Sequence, residues 1–594
     1  MKTLIVALNS KYIHSSLAAW YLKAYCGNDC GEVKVYESTI NDSPDSVLSD
    51  IYLEKADVVG FSCYIWNIGE VLRIAENLKK VSPNVRIVLG GPEVSFDAEN
   101  ILKENKFVDL VISGEGEIPF RQLLMQLAAG IWEPNEIEGL TYRDLNGIVS
   151  NYRARLIENL DSIPSPYTDE MLDAVKGRIV YFEASRGCPF SCSYCLSSTF
   201  DGVRYFSMER VRNDLKRLMR AGVKLVKFVD RTFNCSRKRA KEIFRFIIGE
   251  ASDTAFHFEA AADLFDDEMI EILSHAPPGR IQFEIGIQTT NLRTLGLINR
   301  KTDLEAVFYY VGKLRDLGNI HIHLDLIAGL PEEDYDSFIR SFDDVYRLRP
   351  HQLQLGFLKM LKGSGIRKDA EKFGYAYRDY PPYEVLFSRS ISFDEVLKLK
   401  GIEDLVERYY NSGKFQASLN YLTEKAYESP FVFFSEFHDF CRDEGWAGKA
   451  MSSRDLYTVL LQFLRKVLPK EHVDIAGELL KLDYLSSDRS NNLPEGIERE
   501  LQPGFKEWCF EFLKNTDNLK RYLPEFADVP AKQIYKQVHF EIFTHDVVKG
   551  METGEFEKRN TVVLFRYYER DPVTGLFSYT VCQYDMKHEA RFDT

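Results

Sequence analysis

The sequence predicts an α/β fold. It reads as an N-terminal doubly wound parallel sheet, then a partial (β/α)6 barrel, then a mainly helical C-terminal domain with a terminal β element. Three observations predict it. Five short apolar runs alternate with helical stretches before residue 130, the pattern of a parallel sheet covered on both faces. Six more strand–helix units follow between 178 and 370, fewer than a closed barrel needs. Beyond 371 the pattern turns helical and aromatic, and strand-like runs return only near the end. A chain of 594 residues has room for roughly three to four domains of about 150 residues each. The boundaries read as 1–135, a hairpin and linker at 136–177, a barrel at 178–370 and a C-terminal domain at 371–594.

In the first domain, Thr3–Leu8, Val33–Glu37, Asp57–Cys63, Val85–Leu89 and Val108–Ile112 are the strands. Helices are predicted over Ser15–Tyr25, after Ser43-Pro44, over Glu70–Val81 and over Ile118–Ala129. Ser43-Pro44 is a cap followed by proline at the first helical position. Ligands bind such sheets at the carboxyl ends of the strands. Here those ends are Asn9–His14, Ser62–Asn67, Gly90-Gly91-Pro92 and Ser113–Gly116. Residues 137–152 read as a hairpin turned at Asn146-Gly147. The barrel strands are Arg178–Glu183, Lys224–Val229, Ala255–Ala261, Arg280–Ile287, Ile320–Ile327 and Gln352–Phe357. Between them, Val211, Leu215, Leu218 and Met219 share one helical face, and Thr302 and Glu305 read as a capping box. The C-terminal domain shows helical stretches over Leu386–Asn411 and Tyr421–Phe463, and strands over Val538–Phe543 and Thr561–Tyr568.

The chain is acidic, with a net charge of −15, which argues against broad nucleic-acid binding. Its ten cysteines are scattered apart from one triplet, so they are not a disulfide framework and point to a reducing compartment. The apolar run in the opening MKTLIVALNS is too short for the core of a signal peptide. No apolar run reaches the roughly 18 residues of a membrane-spanning helix. These features together predict a cytoplasmic protein.

The triplet lies in YFEASRGCPFSCSYCLS, residues 181–197. Cys188, Cys192 and Cys195 are spaced C-x3-C-x2-C. Thiolates bind iron–sulfur clusters with one cysteine per iron. Three thiols on one loop leave the fourth iron of a cubane open, and a catalytic metal needs an open position. The plain alternatives are a structural zinc site or unrelated core cysteines. Zinc asks for a fourth ligand nearby, and no Cys or His lies between Cys195 and Cys235.

This motif, with Tyr194 at its aromatic position, resembles the signature of the radical S-adenosylmethionine (SAM) superfamily. The resemblance implies a 4Fe-4S cluster on Cys188, Cys192 and Cys195, whose free iron chelates SAM and cleaves it reductively to a 5′-deoxyadenosyl radical. It also assigns SAM contacts to the strand ends. Asp230 would accept from the SAM ammonium, Glu284 and Gln288 would meet its ribose and carboxylate, and the backbone at Gly329 its adenine. Each is otherwise a structural cap or a sheet-end hydrogen bond. His321 and His323 share one strand face, as cavity-lining residues or as histidines satisfied by backbone.

The first domain resembles the cobalamin-binding domain that precedes the cluster domain in one subgroup of that superfamily. Ser62, Gly90, Gly91, Gly114, Glu115 and Gly116 carry the likeness and are implied to line the corrin and its nucleotide tail. The D-x-H-x-x-G motif that supplies a cobalt-ligating histidine elsewhere is missing, so His14 reads as a loop or cap residue. Tyr64 and Trp66 either stand under the corrin or pack at a strand end. The rivals are a flavodoxin-like domain that binds flavin or nothing, and a second cluster on Cys26, Cys30 and Cys63. The C-terminal part resembles the uncharacterised region found in one branch of these proteins.

The resemblance implies methyl transfer to an unactivated centre, with SAM as both methyl and radical source. The alternatives are oxidative cyclisation or ring rearrangement, and a non-catalytic cofactor-binding protein. The expected partners are a small-molecule or biosynthetic-intermediate substrate and an electron donor such as a flavodoxin or ferredoxin. No nucleic acid and no membrane span are expected.

Overall fold

The computed structural model describes residues 1–151, 154–199, 202–489 and 492–583. Tyr152, the last residue of the predicted hairpin, lies outside them. The chain divides into two compact units. The first holds residues 1–320, 329–334 and 357–392, and the second holds 321–328, 335–356 and 393–594.

The first unit opens with a sheet of seven strands. They are β1 (Lys2–Asn9), β2 (Glu32–Thr39), β3 (Val58–Ser62), β4 (Arg86–Gly90), β5 (Leu110–Ile112), β6 (Leu140–Asp144) and β7 (Gly147–Ser150), in the order β2-β1-β3-β4-β5-β6-β7. The first five are parallel, as the sequence predicts. The hairpin β6–β7 does not stand apart but extends the sheet antiparallel to β5. Its turn is one residue earlier than Asn146-Gly147, because Asp144 pairs with Gly147 and its side chain accepts from the Asn146 N–H at 2.7 Å.

Strand residues alternate between two cores. Leu4, Val6 and Leu8 pack with helices α2 (Pro44–Leu53), α3 (Ile68–Val81) and α4 (Ala98–Glu104), counting α1 as Leu17–Cys26. Ile5 and Ala7 pack with α1 and with α5 (Glu117–Ala129). Cys26 and Cys30 are buried in the second core and Cys63 in the first. Thiols on opposite faces of a sheet cannot share one cluster.

The strand β8 (Val180–Phe182) starts the next series. A short antiparallel ribbon, β9 (Ser185–Gly187) with β10 (Val203–Tyr205), brackets the cysteine loop. Strands β11 (Leu225–Phe228), β12 (Ala255–Ala260), β13 (Ile281–Gln288), β14 (His321–Ala328) and β15 (Gln352–Phe357) follow, each with a helix after it. With β8 they make the six predicted strand–helix units. In the first unit, β8, β11, β12 and β13 are parallel neighbours. Phe228, Phe256, Phe258 and Phe283 form the buried row, and Phe228 packs tilted against Phe258 at 4.5 Å between ring centres. The opposite row, Tyr181, Lys227, His257, Glu259, Gln282 and Glu284, is half-buried and polar. The helix Leu304–Asp316 is capped by Asp303, whose side chain accepts from the Ala306 N–H at 3.1 Å. A carboxylate one residue on displaces the predicted Thr302 cap. The first unit ends with the hairpin β16 (Ala376–Tyr377) and β17 (Val385–Phe387), where the sequence reads the start of a helix at Leu386.

In the second unit the long helices include Pro430–Asp443, Ser453–Val467 and Lys470–Ser487. Aromatic contacts such as Phe437 on Phe463 at 4.9 Å join them. Strands β18 (Val538–Phe543), β19 (Thr561–Arg570) and β20 (Phe577–Cys582) form an antiparallel sheet. On β14, His321 stacks on His351 at 4.9 Å. Burial, helped by the charge of His323, lowers His321 from 6.5 to about 4. A depressed histidine stays neutral in the fold while the unfolded chain protonates. Stability is therefore full above about pH 6.5 and is lost as pH falls towards 4. His321→Gln is expected to remove on the order of 2 kcal/mol of this acid sensitivity. Urea titrations at pH 7 and pH 4.5 check it.

Among the described residues, no helix is long and apolar enough to cross a membrane.

Candidate functional site

Gly187 delivers the chain into the cysteine loop at φ 98°, in the left-handed region. A Cβ there would lie 2.2 Å from the Gly202 carbonyl oxygen, so only glycine lets the loop start and finish this close together. Two bonds fix the middle of the loop. Ser193 N–H donates to the Ile298 carbonyl at 2.9 Å, and the Ser193 carbonyl accepts from Ile366 N–H at 2.8 Å. Cys192 is buried, while Cys188 and Cys195 are half-buried.

Each sulfur has a polar neighbour. Cys195 Sγ accepts from Ser197 N–H at 3.4 Å, and Cys188 Sγ lies 3.6 Å from Thr232 Oγ1. Arg300 places Nη1 3.9 Å from Cys192 Sγ and 3.2 Å from the Tyr194 hydroxyl. Its Nη2 donates to the Gly286 carbonyl. Burial raises the Cys192 thiol, and Arg300 opposes it. Among the described residues, no three or more His, Cys, Asp or Glu side chains are placed to hold one metal ion. Three separate thiols with N–H donors aimed at sulfur are the donor set of a cluster, where each cysteine takes its own iron.

Arg300 was not legible as a site residue. It follows Gln288 by twelve positions in no motif, and only the fold brings it to the cysteines. Arg300→Gln is expected to cost about 1–3 kcal/mol of stability, for the bonds it loses. It is also expected to move the midpoint potential of a bound cluster to a more negative value, since a cation beside a ligand sulfur favours the reduced form. A redox titration followed by electron paramagnetic resonance (EPR) checks it.

The predicted SAM contacts fall around this loop in different environments. Asp230 is buried and accepts from Ala184 N–H at 3.0 Å and Ser185 Oγ at 2.5 Å, so it braces the strand that leads to the cysteines. Burial pushes its carboxyl up to about 6, against those hydrogen bonds. Glu284 pairs with Lys227 at 3.0 Å and lies 3.3 Å from His257, on the polar row of the strands. Gln288 stands at φ 75°, a conformation that costs a non-glycine residue about 1–2 kcal/mol. Its Oε1 is buried without a hydrogen-bond partner among the described residues. Strain and an orphaned polar atom coincide at this one position. Gly329 has φ 84°, and its carbonyl accepts from the Tyr375 hydroxyl at 2.9 Å.

The edge of the N-terminal sheet presents a different surface. Tyr12, Ile13 and Trp66 are 70%, 48% and 45% exposed. Trp66 stacks on Tyr64 at 4.4 Å and donates Nε1–H to the Leu8 carbonyl at 3.2 Å. The buried Asn67 side chain ties the Ser62 carbonyl to the Leu8 carbonyl, at 2.9 and 3.0 Å. Exposed flat groups held rigid at the strand ends fit a broad macrocycle. His14 sits in the first loop with Nδ1 2.8 Å from the Tyr181 hydroxyl, and burial lowers its pKa. Gly114 N–H donates to Ser95 Oγ at 3.3 Å, and Gly116 precedes the first turn of α5. Glu115 points elsewhere, into ion pairs with Arg204 at 2.6 Å and Arg186 at 3.4 Å.

Comparison with known proteins finds three family matches. Residues 3–124 match the B12 binding domain, 182–345 the radical SAM superfamily, and 371–565 a protein family of unknown function (DUF4080). The chain is 31% identical over 311 residues to the uncharacterized methyltransferase PH0819 of Pyrococcus horikoshii, covering 51% of this chain and 67% of that protein. It is 28% identical over 401 residues to the cobalamin-dependent radical SAM methyltransferase TokK of Streptomyces tokunonensis, covering 64% and 58%. The solved structure of the cobalamin-dependent SAM radical enzyme OxsB with aqua-cobalamin bound superposes with a TM-score of 0.55 at 15% identity, over 89% of this chain and 84% of that one. The chain spans about half to two thirds of the length of the curated relatives it matches. A radical SAM barrel behind a B12-binding sheet defines the class. The chain belongs to the cobalamin-binding-domain branch of the radical SAM enzymes, among those that carry the uncharacterised C-terminal domain.

Proposed function

We propose that this chain is a cobalamin-dependent radical SAM methyltransferase, acting on an unactivated centre of a small polar substrate. The observation that carries the reading is the loop of Cys188, Cys192 and Cys195, with Arg300 against it and the strained Gln288 in the same unit. Bound there, a 4Fe-4S cluster and SAM supply a carbon-centred radical, and cobalamin on the N-terminal sheet edge carries the methyl group. The chain's own residues hold and shield these groups. Gln288 offers its orphaned Oε1 to SAM, Gly329 offers backbone to the adenine, and Asp230 keeps the cysteine strand in place. The strand ends at Ser62, Gly90, Gly91, Gly114 and Gly116 would take the corrin and its tail, with room at Gly90 and with Trp66 beneath. Glu284, Lys227 and His257 give the barrel interior a polar lining, which suits a water-soluble substrate better than a hydrocarbon. Electrons would come from a flavodoxin or ferredoxin, in the cytoplasm.

The test is anaerobic reconstitution with iron, sulfide and hydroxocobalamin, followed by desalting. The expected result is four irons and one corrin per chain, with 5′-deoxyadenosine formed from SAM under reduction. Candidate substrates are then screened for a gain of one methyl group by mass. Iron retained without corrin removes cobalamin from the reading, and no SAM cleavage removes the radical chemistry.

A further inference from the structure

A knot of five charged side chains joins the N-terminal sheet to the cysteine loop, and cofactor binding alone does not explain it. Arg186, two residues before Cys188, lies 2.6 Å from Glu117, 3.0 Å from Glu183 and 3.4 Å from Glu115. Arg204 pairs with Arg186 across the β9–β10 ribbon. It lies 2.6 Å from Glu115 Oε1 and 3.0 Å from Oε2, and donates to the Ile157 carbonyl at 2.6 Å. Glu115 Oε2 also accepts from Ile157 N–H at 2.8 Å. The five side chains are only 6–18% exposed.

The placement is what matters. Arg186 stands where the chain enters the cysteine loop and Arg204 where it leaves. Glu115 lies in the loop after β5 and Glu117 opens α5, both in the N-terminal domain. Both arginines converge on Glu115, so one carboxylate holds the entry and exit of the loop together. Buried charges are a poor source of net stability, because desolvation offsets their attraction. What they do provide is register, since each charge finds its partners in one arrangement only. The adjacent stack of Tyr21 on Phe206 at 6.3 Å is apolar and imposes no such register.

We propose that Arg186 and Arg204, acting through Glu115 and Glu117, are positioning residues. They hold the cysteine loop against the fifth loop of the N-terminal domain in one register, and so set the spacing between the two cofactor sites. The spacing claim rests on the functional reading above; the clamp itself does not.

The test uses full-length Arg204→Gln, with Glu115→Gln as an isosteric second variant in case the first fails to fold. In the apo-protein, hydrogen exchange is followed in peptides covering 113–120 and 183–205. Exchange in both peptides is expected to rise about 10-fold or more in either variant, because the clamp's loss opens both sides together. In reconstituted protein, iron and corrin are expected to stay. The EPR relaxation enhancement of cob(II)alamin by the reduced cluster, a distance readout, is expected to spread from one component into several. If both variants merely melt earlier, with exchange and relaxation as in wild type, the pairs are ordinary ion pairs and the proposal is overturned. If wild-type protein keeps no corrin, the functional reading fails and exchange alone decides the clamp. A change confined to one of the two peptides then overturns it.

Discussion

Cys192→Ala is expected to abolish assembly of the 4Fe-4S cluster and, with it, all 5′-deoxyadenosine formation from SAM. Cys192 is the buried thiol of the three and the one that Arg300 approaches. A cubane held by three cysteines has no spare protein ligand, so losing one leaves two irons without a thiolate. Alanine also leaves the Arg300 guanidinium with fewer partners in a buried place, which adds a cost of about 1–3 kcal/mol. The fold should survive this, because Ser193 is pinned on both sides of the loop by backbone bonds. Cys235→Ser is the control. Cys235 lies three residues beyond Thr232 and contacts the Tyr205 hydroxyl at 3.4 Å, close to the loop but outside its motif. It is expected to keep four irons and full SAM cleavage. Iron analysis and anaerobic product assays on both variants check the pair. A Cys192→Ala protein that still binds four irons would show that the ligands lie elsewhere.

The parts of this protein legible in sequence were those set by local pattern. Alternating apolar runs placed the five parallel strands, because a strand buried on both faces is continuous in hydrophobicity. The cysteine spacing marked the cluster loop, because all three thiols lie on one short loop. What escaped was tertiary. Arg300 reaches Cys192 from 108 positions away, and Glu115 meets Arg204 across 89. No spacing encodes such pairs. The glycine-flanked Glu115 suggested a corrin contact, and the structure instead commits its carboxylate to two arginines. The hairpin at 140–150 was readable as a hairpin, yet its addition to the sheet edge was not, since edge pairing depends on which strand is left open. Asp303 shows the same limit at small scale. Two adjacent capping residues compete, and the helix axis chooses between them.

Gly91→Ala and Gly90→Ala are expected to fail in different ways, although the two glycines are neighbours. Gly91 has φ 114°, and a Cβ there would sit 2.5 Å from the Cys63 carbonyl oxygen and 3.0 Å from its nitrogen. The obstacle is backbone, and Cys63 is fixed to Gly90 by an N–H donated at 2.7 Å. Neither side can yield, so alanine meets both left-handed strain, about 1–2 kcal/mol, and a clash that displaces a loop. A total loss of about 3–5 kcal/mol is expected, with corrin retention lost because the loop has moved. Gly90 has no such obstacle. The nearest atom to its Cβ position is the Ile112 carbonyl oxygen at 3.8 Å, and its φ is unremarkable for any residue. Gly90→Ala should therefore leave stability within about 0.5 kcal/mol of wild type. If the nucleotide tail of cobalamin runs against this backbone, the added methyl group weakens corrin retention while iron binding and melting temperature stay unchanged. Thermal melts with and without hydroxocobalamin separate the two effects. Equal corrin binding in Gly90→Ala and wild type would mean that this glycine is open to solvent, not to ligand, and that the tail takes another path along the strand ends.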